Sequence, residues 1–423
     1  MTFTKTVLEN GLRIITSPQK DNPAVTVLIL VETGSEYESK DKNGVSHFLE
    51  HMCFKGTKNR PKAIDIASEL DSVGASYNAF TGHQYTGYYA KVDKSHFDKA
   101  LDVVSDIYLN QIFDPKEIEK ERGPVIEEIN LGEDTPTTDI YRVFPQLLYG
   151  DQPAGWNILG PKEVIRKIGR EDFMEYRKDH YVARATTVAV AGSIDEKEVV
   201  EKIKKAFANI STAEKKAKPI LTEDQSEPGL LVKNKKSDQS HIMLGVRAYN
   251  LFDERRYILE VLADILGGGM SSRLFQTIRG EMGAAYYVHS FTYELTDHGY
   301  LAARAGLGND KLLRATEAIL GEFNRLKIEK VSEQELKKAK DHMVGSLMPS
   351  LETSDSLAEF YGFQELLTRE VLTPDEEVKN IQKVSAEEVQ EVANDIFTDD
   401  KLNLAVIGPV GEEKDLKQAL KIA

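Results

Sequence analysis

The chain has a single cysteine, Cys53, among 423 residues, so no intrachain disulfide can staple it. That scarcity fits a reducing compartment. No apolar run approaches the roughly 18 residues needed to cross a bilayer. The N-terminus also lacks the basic-then-apolar order of a secretion signal. It reads instead as a strand, a turn at Asn10-Gly11 and a second strand from Leu12 to Thr16, a hairpin pattern. The expectation is a soluble cytoplasmic protein with no membrane partner. Positive charge is in deficit, with 54 Lys and Arg against 69 Asp and Glu and a net charge of -15. A surface of that sign repels phosphate backbones and excludes nucleic acid as a natural partner. What is present suffices for folding: 41% of residues are hydrophobic and 29% charged, which argues against wholesale disorder.

A chain of this length implies two domains of about 200 residues each. Residues 211–228 are polar, with two prolines and few large apolar side chains, and read as a linker. The expected division is 1–210, linker 211–228, and 229–423. The two halves resemble each other. Val188-Ala-Val-Ala-Gly192 matches Leu404-Ala-Val-Ile-Gly408, and the segment from Phe113 matches the one from Val331, at offsets of 216 and 218 residues. This is a tandem duplication. Within each half, strand runs come first (Ala24 to Glu32; Leu230 to Val246), and further strands follow (Ala75 to Val92; Ala284 to Ala305). Long amphipathic helices come next (His96 to Gln111; Lys311 to Leu326). Clustered strands without tight β-α alternation predict an α+β fold, each half a mostly antiparallel sheet with helices packed on one side.

The segment His47-Phe-Leu-Glu-His51 carries the chemistry. Two histidines four residues apart lie one helical turn apart, so both imidazoles can close on one metal ion. Glu50 projects from the same side and could act as general base on a metal-bound water. The order H-x-x-E-H is the inverse of the commoner zinc-hydrolase pattern. Chance produces it in about one chain in a hundred of this length, so a third ligand is required. His83, between strand-like segments, reads better as a loop or surface histidine. Glu121 and Glu128 are two turns apart on a helix from Asp114 to about Leu131. They could serve as a ligand and its hydrogen-bonding support, or be part of a solvated Glu/Lys-rich face.

The repeat bears on that choice. A shift of 218 sets Ile265, Gly268 and Gly269 opposite His47, Glu50 and His51, with Ala339 and Ser346 opposite Glu121 and Glu128. On this register all five polar residues are missing together from the second half, as a single functional unit would be.

With His47-Phe-Leu-Glu-His-Met52, Phe54-Lys-Gly-Thr57 and Glu121-x(3)-Val125-x(2)-Glu128, the chain resembles the M16 (pitrilysin-type, inverzincin) zinc metallopeptidases over essentially its whole length. The likeness is to the short subfamily related to mitochondrial processing peptidase. The resemblance implies one zinc ion per chain on His47, His51 and Glu128, with Glu50 as general base and Glu121 behind a ligand. Cys53, by its helical angle, points away from the ligands. The resemblance also implies that Asn78, Ala79, Phe80 and Thr81 form a strand edge to which a peptide substrate adds. Arg279 and Tyr286 match a substrate-carbonyl pair, although Gly280 and Met282 depart from the usual charged neighbours. Gly267-Gly-Gly269 resembles a glycine-rich loop, and a helix end explains it equally well. Long members hold four such domains and this chain holds two. The implied assembly is therefore a homodimer enclosing a chamber, with Arg279 and Tyr286 of one chain facing the zinc of the other. The alternatives are a catalytic subunit that needs a different, inactive partner, a structural subunit of the same family, or a metal-free peptide-binding module.

Overall fold

The computed structural model describes residues 2–411 and 413–422. Among the described residues, eleven strands form two sheets. The first holds β1 (Thr4–Val7), β2 (Arg13–Pro18), β3 (Ala24–Val31), β4 (Ser76–Thr81), β5 (Thr86–Asp93) and β6 (Thr186–Gly192), in spatial order β1-β2-β6-β3-β5-β4. The second holds β7 (Gly229–Asn234), β8 (Gln239–Ala248), β9 (Ala285–Glu294), β10 (Gly299–Gly308) and β11 (Leu402–Gly408), in order β7-β11-β8-β10-β9. The principal helices are α1 (Val45–Cys53), α2 (Phe97–Leu109), α3 (Pro115–Asp134), α4 (Pro136–Tyr149), α5 (Arg170–His180), α6 (Arg256–Gly267), α7 (Leu312–Ile328), α8 (Glu333–Ser350) and α9 (Ser354–Leu367).

The expected α+β architecture and its duplication are both visible in the pairing. In the first sheet only β2 and β6 run parallel, and in the second only β7 and β11. All other neighbours are antiparallel. The N-terminal hairpin forms with Thr4 opposite Thr16. The run expected from Leu230 to Val246 is two strands, because the polar residues Lys235 to Asp238 interrupt it.

Alternation along β3 explains how both faces of the first sheet are covered. Val25, Val27, Ile29 and Val31 join a core with Phe48, Leu49 and Met52 of α1 and Val103, Val104 and Ile107 of α2. Each such side chain, fully buried, contributes about 1.5–3 kcal/mol. Leu28 and Leu30 point the other way, toward α9. A Cβ at Gly362 would lie 2.9 Å from Leu30 Cδ1 and 3.2 Å from the Ala189 methyl, so glycine is what permits the close approach. The fully buried Glu365 of α9 meets Lys5 at 2.7 Å and Arg13 at 3.3 Å. In the second sheet the matching place belongs to α4, whose Ile140, Val143, Phe144 and Leu148 pack on Met243, Tyr300, Ala302, Ala405 and Ile407.

Two packed units result. One comprises 1–130, 156–220 and 348–374; the other comprises 131–155, 221–347 and 375–423. A cut at 211–228 keeps each sheet in its own half, while α4 and α9 each pack with the sheet encoded by the other half. Among the described residues, no helix is long and apolar enough to cross a membrane.

The register of the repeat needs one correction. The pairs α3/α8 and α4/α9 keep the 218-residue offset at their first residues. Between β3 and α1, however, lie thirteen residues, against seven between β8 and α6. The counterparts of His47 to His51 therefore fall earlier than Ile265 to Gly269, within α6 itself. That helix carries Glu260 and Asp264 but no histidine. Asp264 is bonded to His342 of α8 at 2.7 Å. The second half has therefore lost the histidine pair and not all polarity at this place.

Candidate metal centre

The helix α1 buries Val45, Phe48, Leu49, Met52 and Cys53 and turns His47, Glu50 and His51 to the opposite side. In α3 a stripe of Ile118, Val125 and Ile129 is buried, and Glu121 and Glu128 flank it. Arg122 of α3 lies 5.8 Å from the centroid of the Phe48 ring, tying the two helices together.

Their facing side chains converge. Glu128 Oε2 is 3.5 Å from His47 Nε2 and 3.4 Å from His51 Nε2. Donor atoms of all three residues lie within 4.8 Å of one another. These separations are too long for good hydrogen bonds, which run to roughly 3.2 Å. They do suit a shared cation, because ligand atoms about 2.1 Å from a tetrahedral zinc lie about 3.4 Å apart. The donor set, two imidazole nitrogens and a carboxylate oxygen, is that of a catalytic zinc site with one position left for water or substrate. The residues present fit the metal.

Around this triad the polar contacts are specific. His51 Nδ1 donates to Glu121 Oε1 at 2.9 Å, which leaves Nε2 free to ligate. Lys55 Nζ lies 2.6 Å from the other Glu121 oxygen. Burial opposes charge on His51, but its hydrogen bond to Glu121 and the nearby carboxylate of Glu128 outweigh it and push His51 up to about 9. Burial likewise works to raise Glu121, and His51 and Lys55 bring it below its ordinary value. The two imidazoles lying within 3.5 Å of it hold Glu128 far below the usual carboxylate range. His47 is only 6% exposed, and among the described residues its Nδ1 has no hydrogen-bond partner. Beside the triad, Glu50 accepts from the Thr81 hydroxyl. Burial raises its carboxyl, against the charge of His47 and the Thr81 bond.

The other residues singled out from the sequence are distributed as follows. Asn78 to Thr81 belong to β4, the edge strand of the first sheet. Ala79 packs into the core that contains α1, and Tyr77 stacks on Phe54 just beyond that helix. His83 bonds Ser35 and is not among the converging donors. Cys53 is buried between Tyr88 and Gln111, which pushes its thiol up to about 12 and leaves it away from the ligands. Arg279 and Tyr286 lie in the second unit. Arg279 sits in a π-helical turn with its guanidinium 5.0 Å from the Phe275 ring centroid, and Tyr286 on β9 is 75% exposed. Sequence reasoning missed Lys55 as the partner of Glu121, though it lies within the motif following His51. It also missed the bond from Thr81 to Glu50, which only the approach of β4 to α1 creates.

Comparison with known proteins decides the family. The model described as insulinase (peptidase family M16) matches residues 13–162, and the one described as peptidase M16 inactive domain matches 167–343. The uncharacterized zinc protease YmxG of Bacillus subtilis is 36% identical, covering 95% of this chain and 97% of its own. An uncharacterized zinc protease of Streptomyces coelicolor is 31% identical, over 98% and 91%. The chain belongs to peptidase family M16. The M16 fold is shared with a protease from Helicobacter pylori, at a TM-score of 0.89 and 23% identity over 96% of this chain and 99% of that one. The M16 inactive-domain match falls on the half whose α6 has no histidine, in keeping with the loss of the ligand pair there.

Proposed function

We propose that this M16 chain is a zinc-dependent endopeptidase that hydrolyses unfolded peptides, with one zinc ion per chain, acting as a homodimer around a chamber. The observation that carries the reading is the meeting of His47 Nε2, His51 Nε2 and Glu128 Oε2, with Glu50 alongside. When bound, zinc supplies Lewis acidity to the water and the scissile carbonyl. His47, His51 and Glu128 hold the ion, and Glu121 fixes the ring of His51 through Nδ1. The peptide adds as a strand to the free edge of β4, beside Asn78, Ala79, Phe80 and Thr81. Glu50 takes the proton from the attacking water and delivers it to the leaving amine. Thr81 holds Glu50 at the end of that edge, so the base and the bound backbone share one strand as reference. The exposed Arg279 and Tyr286 of a partner chain stabilise the negative charge that develops on the carbonyl oxygen.

The test is cleavage of a quenched peptide by the wild type and by E50Q, with zinc measured on both. The wild type is expected to carry about one zinc per chain and to cleave. E50Q should keep its zinc and lose about 10²- to 10⁴-fold in rate, the usual contribution of a positioned acid–base group. Equal rates would sink the mechanism.

A further inference from the structure

The helix bearing the histidines starts without a cap of its own. Its N-cap is Gly44, at φ +97° and with no side chain to offer. No larger residue fits, because a Cβ there would lie 2.7 Å from Ile165 Cδ1 and from the Leu159 carbonyl oxygen. The amides of the first turn need acceptors, and two of them find one in a residue six positions upstream. Glu38 Oε2 accepts from the Gly44 amide at 2.7 Å and from Asn43 Nδ2 at 2.8 Å. Glu38 Oε1 accepts from the Ser46 amide at 2.8 Å and from the Ser46 hydroxyl. The carboxylate is 3% exposed, and no cation pairs with it among the described residues. It is held by four donors and by the positive end of the helix.

His47 is the residue directly after Ser46. His51 is aimed by Glu121, whereas among the described residues His47 has no polar partner at Nδ1. Its ring is therefore set by packing and by the backbone of the first turn. We propose that Glu38 is a positioning residue for the metal centre: by capping α1 it fixes His47 at the distance from Glu128 that a shared ion needs. The inference rests on reading His47, His51 and Glu128 as zinc ligands. Glu38 touches neither metal nor substrate in this arrangement. A glutamine cannot replace it, because each oxygen serves two donors and an amide nitrogen at either place would face donors.

The test compares the full-length wild type with E38Q and S46A. Zinc affinity is read by competition with a chromogenic chelator, amide exchange is followed without added metal, and peptide cleavage is measured at saturating zinc. In E38Q zinc affinity should fall about 10- to 100-fold, the range for losing support behind a ligand. The Gly44 and Ser46 amides should lose protection. The kcat should fall at least about ten-fold while KM stays within about two-fold, because the peptide lies on β4 and not on α1. S46A withdraws one donor and should weaken zinc by about two- to five-fold. An E38Q protein with wild-type zinc affinity and kcat overturns the proposal. So does a rise in KM matching the fall in kcat, which would mark general loosening of the unit. If E38Q does not fold, S46A decides, and unchanged zinc affinity overturns the proposal. A wild type that binds zinc but cleaves nothing refutes the peptidase reading alone, and the affinity and exchange results still judge Glu38. A wild type that binds no zinc removes the ligand reading and this proposal with it.

Discussion

A carboxylate buried without a cation is costly, and Glu38 shows that cost as a proton affinity. Burial raises it and its four hydrogen bonds lower it, with a net rise from 4.5 to about 7. Tyr176 of α5 faces the same pocket, and burial raises its hydroxyl well above the ordinary value, so it stays neutral across the range that matters. The sign of the linkage follows. The folded state binds the Glu38 proton more tightly than the unfolded chain, so the contribution to stability is fully present below about pH 4.5 and is lost as pH rises through about 7. The amount is on the order of 3 kcal/mol. E38Q cannot titrate at this position. Melts of both proteins at pH 5 and pH 8 should show the wild type losing more stability than E38Q over that interval. Parallel losses would mean that Glu38 titrates in the folded protein as it does in the unfolded chain. Cys53, the single cysteine, has no comparable part, since it is a core residue of α1 packed between Tyr88 and Gln111.

At the scale of elements, the strand β4 presents its outer backbone in a defined alternation. The Gly82 amide donates to the Tyr85 carbonyl at 2.8 Å. Pairing then alternates outward from that bond, Phe80 opposite Gly87 and Asn78 opposite Tyr89. In an antiparallel pair every second residue bonds to its neighbour, so Tyr77, Ala79 and Thr81 direct their N–H and C=O groups to the free edge. A peptide added there meets those groups with a period of two. Substrates N-methylated at successive backbone nitrogens should therefore lose kcat/KM by about ten-fold at alternate positions, one lost bond being about 1.4 kcal/mol. Uniform losses, or none, would show that the peptide is not held as a strand. The elements also mark how much the sequence discloses. Amphipathic spacing places α2 at His96 to Gln111, and it spans Phe97–Leu109. The ligand helices are legible because H-x-x-E-H and the Glu121/Glu128 spacing are local to one helix each. The constant offset misplaces the counterpart of α1, because the loop before α1 is six residues longer than the one before α6. Glu38 sits in that irregular loop, where no periodicity reports which atoms its carboxylate will reach.

For the whole molecule, local pattern is silent about which sheet a helix will cover. The apolar faces of α4 and α9 are equally compatible with either sheet, yet each packs with the sheet encoded by the other half. A cut between the halves would strip Leu28 and Leu30 of their cover and leave Arg13 beside no Glu365. Each unit thus draws segments from both halves of the sequence, which leaves the question of what completes the site. The proposed ligands lie in the first unit, and Arg279 and Tyr286 lie in the second, exposed. Under the proposed homodimer the pair serves the partner's zinc. Chains carrying E50Q and chains carrying R279A are each inactive as homodimers. In a mixed dimer the R279A chain supplies an intact Glu50 and the E50Q chain supplies an intact Arg279, so one of the two sites works. Random exchange of equal amounts makes about half of the dimers mixed, so about a quarter of wild-type activity should return. The measurement is peptide cleavage before and after subunit exchange, with the dimer followed by light scattering. If the pair instead serves the zinc of its own chain, every site in the mixture lacks one group. Activity then stays at the level of the parents, and confirmed mixed dimers with no recovery would refute the shared site.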